Sequence, residues 1–175
     1  MRDAIAESGL TGADVTVLCE EPRPAYDRVH LSEFFSGKAA EDLSLVEPGF
    51  FERTGFSLRL AARAASVDRR ARTVTTADGE VLPYDKLVLA TGSNPFVPPV
   101  PGRDREHCFV YRTIEDLEAM LEAGSRVKTG VVIGGGLLGL ECAKALRDMN
   151  LETHVVEFSP RLMAVQVDDG GGRVL

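Results

Sequence analysis

Val131-Val-Ile-Gly134-Gly-Gly136-Leu-Leu-Gly139 is the stretch on which the reading of this chain turns. An apolar strand over Gly130–Ile133 runs into glycines spaced GxGxxG, and Gly136–Met149 then reads as a helix. Gly134 permits a tight turn out of the strand. Gly136 lets another molecule approach the backbone without meeting a Cβ, and Gly139 lets the helix pack closely on the strand. Thr153–Glu157 reads as a second strand, which makes a βαβ unit with parallel pairing and a right-handed crossover. Glycine-rich turns are common, so the motif alone is weak. Strand, glycines, helix and a terminal acid together are not.

The helix N-terminus would present free N–H groups and a partial positive charge, the natural partner of a pyrophosphate. Glu157 lies 23 residues beyond Gly134, close to the spacing of about 20 at which a carboxylate meets the ribose of a bound dinucleotide. Such a carboxylate accepts hydrogen bonds from ribose hydroxyls and repels a 2′-phosphate. NADH is therefore favoured over NADPH, although Arg161 nearby is a cation that a 2′-phosphate can use. Leu138 contributes backbone to the same turn. Glu141, early in the helix, is either an acid favoured by the helix dipole or a carboxylate beside the nicotinamide; the sequence leaves both open.

Working outward, Thr113–Ala123 is predicted to be a helix, capped by Thr113 with Asp116 three residues on. Cys108–Tyr111 is expected to form a short strand. Pro95, Pro98, Pro99 and Pro101 forbid regular structure and mark a boundary near residue 100. Before it, Tyr84–Ala90 reads as a buried strand. Ser57–Ala62, Ala64–Asp68 and Thr73–Thr76 read as further strands, and Asp78-Gly79 as a tight turn into Glu80–Leu82. Leu43–Thr54 is partly helical with Gly55 as its stop. Asp14–Cys19 is a buried strand ending in Glu20-Glu21, like the second strand and ribose acid of another dinucleotide unit. Met1–Ser8 reads as the tail of the helix before it. Tyr84–Ala90 runs into Ala90-Thr91-Gly92, a turn of the kind that brings backbone close to FAD in proteins with two dinucleotide sites. The expected architecture is α/β, three-layered, with two Rossmann-like units and a small β-meander: residues 1–100 a partial FAD-binding domain and 101–175 a partial NAD(P)-binding domain.

Composition bounds the alternatives. With 44% hydrophobic and 27% charged residues the chain is globular. A net charge of −7 argues against nucleic acid and against a polybasic membrane surface. No apolar run approaches the roughly 18 residues of a membrane span, and Met1–Ser8 lacks the apolar core of a signal peptide, so a cytoplasmic protein is expected. Cys19, Cys108 and Cys142 form neither a CxxC pair nor a zinc pattern with His30, His107 and His154, and are expected to be buried and apolar.

The run Cys19-Glu-Glu-Pro-Arg-Pro-Ala-Tyr-Asp-Arg-Val-His-Leu-Ser32 closely resembles the large subunits of assimilatory NAD(P)H-nitrite reductases, as do Phe109–Leu117, Gly134–Glu141 and Glu152–Phe158. The resemblance implies that Glu20 binds the FAD adenosine ribose and that Arg28 lies along the adenine or pyrophosphate. It implies that backbone near Ala64 touches the adenine, that Ala90, Thr91 and Gly92 close over the flavin, and that Glu141 lies near the nicotinamide. It implies no catalytic acid or base and no metal ligand in this chain, since the cofactors carry the chemistry. It further implies that the first glycine loop of the FAD unit, the rest of the NAD domain, and the iron–sulfur and sirohaem ligands lie outside the chain, which would then be inactive alone. A small-subunit partner or a homo-oligomer is implied for the complete protein. Glu33 stands where many flavoprotein relatives carry lysine. Two other readings stand beside this one: an NADH-dependent rubredoxin or ferredoxin reductase, and a non-catalytic dinucleotide-binding module. A disulfide reductase is disfavoured because no paired cysteines are present.

Overall fold

The computed structural model describes residues 12–175, so the expected helix tail at Met1–Ser8 lies outside the described residues. These residues gather into two compact units: 12–26 with 44–92, and 27–43 with 93–175. The linear boundary near residue 100 does not anticipate that residues 27–43 join the second unit.

In the first unit, β1 (Thr16–Leu18) and β2 (Ser57–Arg59) pair in parallel, Val17 opposite Leu58. The N–H of Cys19 extends this pairing by donating to the carbonyl of Arg59 at 2.9 Å. A short helix, α1 (Phe50–Thr54), precedes β2 and stops at Gly55, whose φ of +68° is the left-handed cap expected of that glycine. β3 (Ala64–Asp68), β4 (Thr73–Thr76) and β5 (Val81–Pro83) form the antiparallel meander. Gly79, at φ +91°, makes the expected turn between β4 and β5. Thr76 is buried beside it, its hydroxyl shared between the Asp78 carboxylate and the Glu80 carbonyl.

The second unit is built on the βαβ arrangement foreseen at the glycine motif. β6 (Thr129–Ile133) and β7 (Glu152–Val156) pair in parallel over their full length, Val132 opposite Val155. Helix α3 (Leu137–Asp148) packs Cys142, Ala143 and Leu146 on one face of this sheet, in a core with Met120, Val132 and Leu151. Val131, Ile133 and Val156 point to the opposite, exposed face. Helix α2 (Ile114–Gly124) buries Ile114 and Leu117 completely. Its N-terminus is the expected capping box: the Thr113 side chain accepts from the Asp116 N–H at 3.2 Å, and the Asp116 carboxylate accepts from the Thr113 N–H at 2.8 Å. Both orphan donors are thereby satisfied. Thr113→Ala is expected to destabilise this unit by about 1 kcal/mol, read as a lower urea midpoint with an unchanged slope.

Three expectations need correction. Tyr84–Ala90 is not a strand: its apolar residues are exposed, Leu89 at 70%, because no described strand lies beside it to complete a ladder. Cys108–Tyr111 forms no strand either. Tyr111 instead stacks on Phe35, with ring centroids 6.2 Å apart, and contributes its side chain to the core. Of the three cysteines only Cys142 is buried, where desolvation pushes its thiol up to about 11. Cys19 is half-buried and Cys108 exposed. Apolar composition marked these segments correctly as hydrophobic, but burial is decided by what packs against them.

Candidate functional site

The turn between β6 and α3 carries the site. Gly134 has φ +115°, a conformation that favours glycine, and its N–H donates to the Val156 carbonyl at 2.9 Å, tying the turn to the end of β7. Gly139 is where backbone meets backbone: a Cβ there would stand 1.9 Å from the carbonyl oxygen of Gly134. Gly136 differs. It is the N-cap of α3, with an ordinary φ of −80°, and a Cβ on it would meet no atom within 4 Å. The space above Gly136 is open, no side chain caps the helix, and its first turn carries no acid. Unsatisfied N–H groups and the positive end of the helix dipole therefore face that space. Leu138, exposed, sits in that first turn.

Glu157 stands directly after β7 and is fixed from two sides. One carboxylate oxygen accepts from the Gly135 N–H at 2.5 Å, the other from the Ser159 N–H at 2.7 Å. The N–H groups of Ser159 and Gly135 hold this carboxyl below the usual range. It is thus an oriented anion beside the glycine turn, with lone pairs left for hydroxyl donors. Sequence reasoning missed Gly135 and Ser159. The signal was the middle glycine of the Gly-Gly-Gly run, which the GxGxxG pattern leaves free: a Cβ on Gly135 would lie 2.5 Å from Leu162 and 3.1 Å from the Glu157 carboxylate. These features fit a dinucleotide pyrophosphate and ribose, and the structure brings Gly134, Gly136, Leu138, Gly139 and Glu157 together at one turn.

Glu141 is half-buried, further along α3. With Cys142 it adds charge repulsion to the burial that pushes the Tyr111 phenol up to about 12. The Tyr111 hydroxyl has no hydrogen bond of good geometry among the described residues, although Ser32 lies close enough to oppose that rise. Arg161 is not directed at Glu157. It ion-pairs with Asp169 and donates to carbonyls of its own loop.

The expected FAD-side residues are more scattered. Glu20 follows β1, is exposed, and lies 3.5 Å from the Arg63 guanidinium. Ala64 opens β3 at a register irregularity: Ala64 faces Thr76 and Ser66 faces Thr75, so Ala65 between them is left out of the ladder. Ala90 and Thr91 are exposed and Gly92 has φ +67°. Arg28 belongs to the second unit and donates to the Arg112 carbonyl at 2.9 Å. In the same unit Asp27 accepts from the Val29 N–H and pairs with His30 at 2.7 Å. Glu33 pairs with Lys38. Among the described residues no helix is long and apolar enough to cross a membrane, and no group of His, Cys, Asp and Glu could hold a metal ion.

The chain is similar to known proteins over most of its length. The chain is 59% identical over 161 residues to a nitrite reductase [NAD(P)H] large subunit from Klebsiella oxytoca, covering 92% of the chain and 17% of that protein. It is 50% identical over 175 residues to the nitrite reductase (NADH) large subunit of Escherichia coli, covering 100% of the chain and 21% of that protein. The chain thus spans only a small part of these curated relatives. Among solved structures, a ferredoxin reductase from Rhodopseudomonas palustris matches with a TM-score of 0.87 at 28% identity, over 98% of this chain and 43% of that one. NADH:rubredoxin oxidoreductase from Clostridium acetobutylicum matches with a TM-score of 0.84 at 27% identity, over 98% and 45%. The pyridine nucleotide-disulphide oxidoreductase model matches residues 3–172, and with the glycine turn and its acid in place, this chain belongs to that family.

Proposed function

We propose that this chain is the FAD- and NAD(P)H-binding part of a nitrite reductase large subunit. In the complete protein it would take hydride from NADH to FAD and pass electrons on to an iron–sulfur cluster and sirohaem, where nitrite is reduced to ammonia. The observation that carries the reading is the open space above Gly136, flanked by an uncapped helix N-terminus and by the fixed Glu157 carboxylate. The names of the relatives at 59% and 50% identity support the terminal acceptor.

When bound, the two cofactors supply the hydride exchange; the chain holds and orients them. Backbone of Gly134, Gly136, Leu138 and Gly139 would hold the NADH pyrophosphate, Glu157 would hold the ribose hydroxyls, and Glu141 would lie near the nicotinamide. Glu20 takes the FAD adenosine ribose. The unpaired backbone beside Ala64 takes the adenine, Arg28 the adenine or pyrophosphate, and Ala90-Thr91-Gly92 the flavin. A partner subunit or domain accepts the electrons.

Calorimetric titration of the chain with NADH and with FAD tests the reading, with Glu157→Ala as control. NADH binding that weakens in the variant is expected. An unchanged affinity in Glu157→Ala, or no NADH binding by the folded chain, would remove its basis.

A further inference from the structure

We propose that Asp169 sets the preference for NADH over NADPH by holding Arg161 away from the ribose end of the site; this rests on the reading of Gly134–Glu157 as the dinucleotide site. The segment after Glu157 folds back over the glycine turn. The Met163 N–H donates to the Gly135 carbonyl at 2.8 Å, and Leu162 packs where a Cβ on Gly135 would be. Arg161 therefore belongs to the loop that borders the Glu157 carboxylate, and it is a cation that a 2′-phosphate in this place could recruit.

Arg161 is turned the other way. One terminal nitrogen lies 2.5 Å from the Asp169 carboxylate, and the second donates to the carbonyls of Ala164 at 3.2 Å and Val167 at 3.4 Å. Its stem packs so closely on Gly172 that a Cβ there would be 2.7 Å from Arg161 Cδ. This placement is incomplete: Nε is buried with no hydrogen-bond partner among the described residues. A buried donor without an acceptor disfavours the placement, and Asp169 supplies the charge that offsets it. With that charge gone, Arg161 keeps two neutral carbonyls and an orphan N–H. A phosphate dianion would then be the stronger partner, through paired charge-assisted hydrogen bonds. Neutralising Asp169 also removes one negative charge from the loop beside the ribose pocket, which favours the more anionic dinucleotide. NADH, with no 2′-phosphate, gains little from either change.

The test is calorimetric titration of the full chain and of Asp169→Asn with NADH and with NADPH, at two salt concentrations. Asp169→Asn is expected to bind NADPH roughly fivefold more tightly, with NADH changed less than about twofold and the gain shrinking at high salt. Adding Arg161→Gln to Asp169→Asn is expected to abolish the gain. Asp169 is exposed, so only a small fall in thermal midpoint should accompany the variant, and Asp169→Ala repeats the measurement without the amide. Unchanged NADPH affinity in both Asp169 variants, or a gain that survives Arg161→Gln, would overturn the role of Asp169 while leaving the dinucleotide site standing. A wild-type chain that binds neither cofactor would overturn both.

Discussion

Gly139→Val is expected to unfold the glycine turn and abolish NADH binding, whereas Gly136→Val is expected to abolish binding with the fold intact. The same side chain meets two different obstacles. At Gly139 the new Cβ would lie 1.9 Å from the Gly134 oxygen and 2.9 Å from its carbonyl carbon. Both are backbone atoms, which no rotamer change can move. Either α3 rides up off the sheet, loosening Cys142 and Leu146 from Val132, or the turn at Gly134 gives up its bond to Val156. Overpacking a core costs about 1–3 kcal/mol where side chains can adjust, and a backbone obstacle belongs at the upper end of that range or beyond it. At Gly136 a Cβ meets no atom, and φ −80° suits any residue. The stability change there should stay within about 1 kcal/mol, the scale of an N-cap substitution. The valine would nevertheless stand in the space through which a pyrophosphate must approach. Urea unfolding and NADH calorimetry on both variants separate the cases: a lowered midpoint for Gly139→Val only, and lost binding in both. Normal binding by Gly136→Val would mean that the open space is not the pyrophosphate site.

The contrast shows why so much of this unit was legible beforehand. The glycine spacing, the apolar run before it and Glu157 beyond it are local patterns, and each maps onto an observed feature: β6, the turn, α3, β7 and the acid. The capping box at Thr113 and Asp116 was legible for the same reason, since its partners are three residues apart. What was not legible depends on distant partners. Tyr84–Ala90 has the composition of a buried strand but no described neighbour to pair with, and Cys108–Tyr111 gives Tyr111 to Phe35 and the core instead of to a sheet. That Asp27–Leu43 joins the second unit depends on long-range packing, as does the Arg28 hydrogen bond to Arg112. The ion pair of Arg161 with Asp169 was not legible either, because a sequence pattern cannot show which way an arginine turns.

Glu157→Gln is expected to weaken NADH at least about tenfold and to lose the pH profile of the wild type. The carboxylate is acceptor-only, and each oxygen already takes one backbone N–H, from Gly135 and Ser159. An amide cannot replace it in both bonds. Its NH2 group must face one of those donors, so either a peptide N–H is left unpaired or the side chain swings away from the turn. Gln therefore tests orientation as well as charge, whereas Ala would test only removal. The direction with pH follows from the same contacts. The two N–H groups hold the Glu157 carboxyl below its ordinary value, so its contribution is complete above the ordinary carboxylate range and is lost only as pH falls through the lowered value. NADH affinity of the wild type should accordingly stay flat from about pH 8 to pH 5 as far as this group is concerned, and decline only in stronger acid. Glu157→Gln should lack that acid decline, being weak throughout. Calorimetry across this range, with circular dichroism to confirm the fold at each pH, decides the matter. A wild-type affinity that falls between pH 8 and pH 6 would assign the titration to a histidine instead, and a Gln variant within twofold of wild type would show that the Glu157 charge does not hold the ribose.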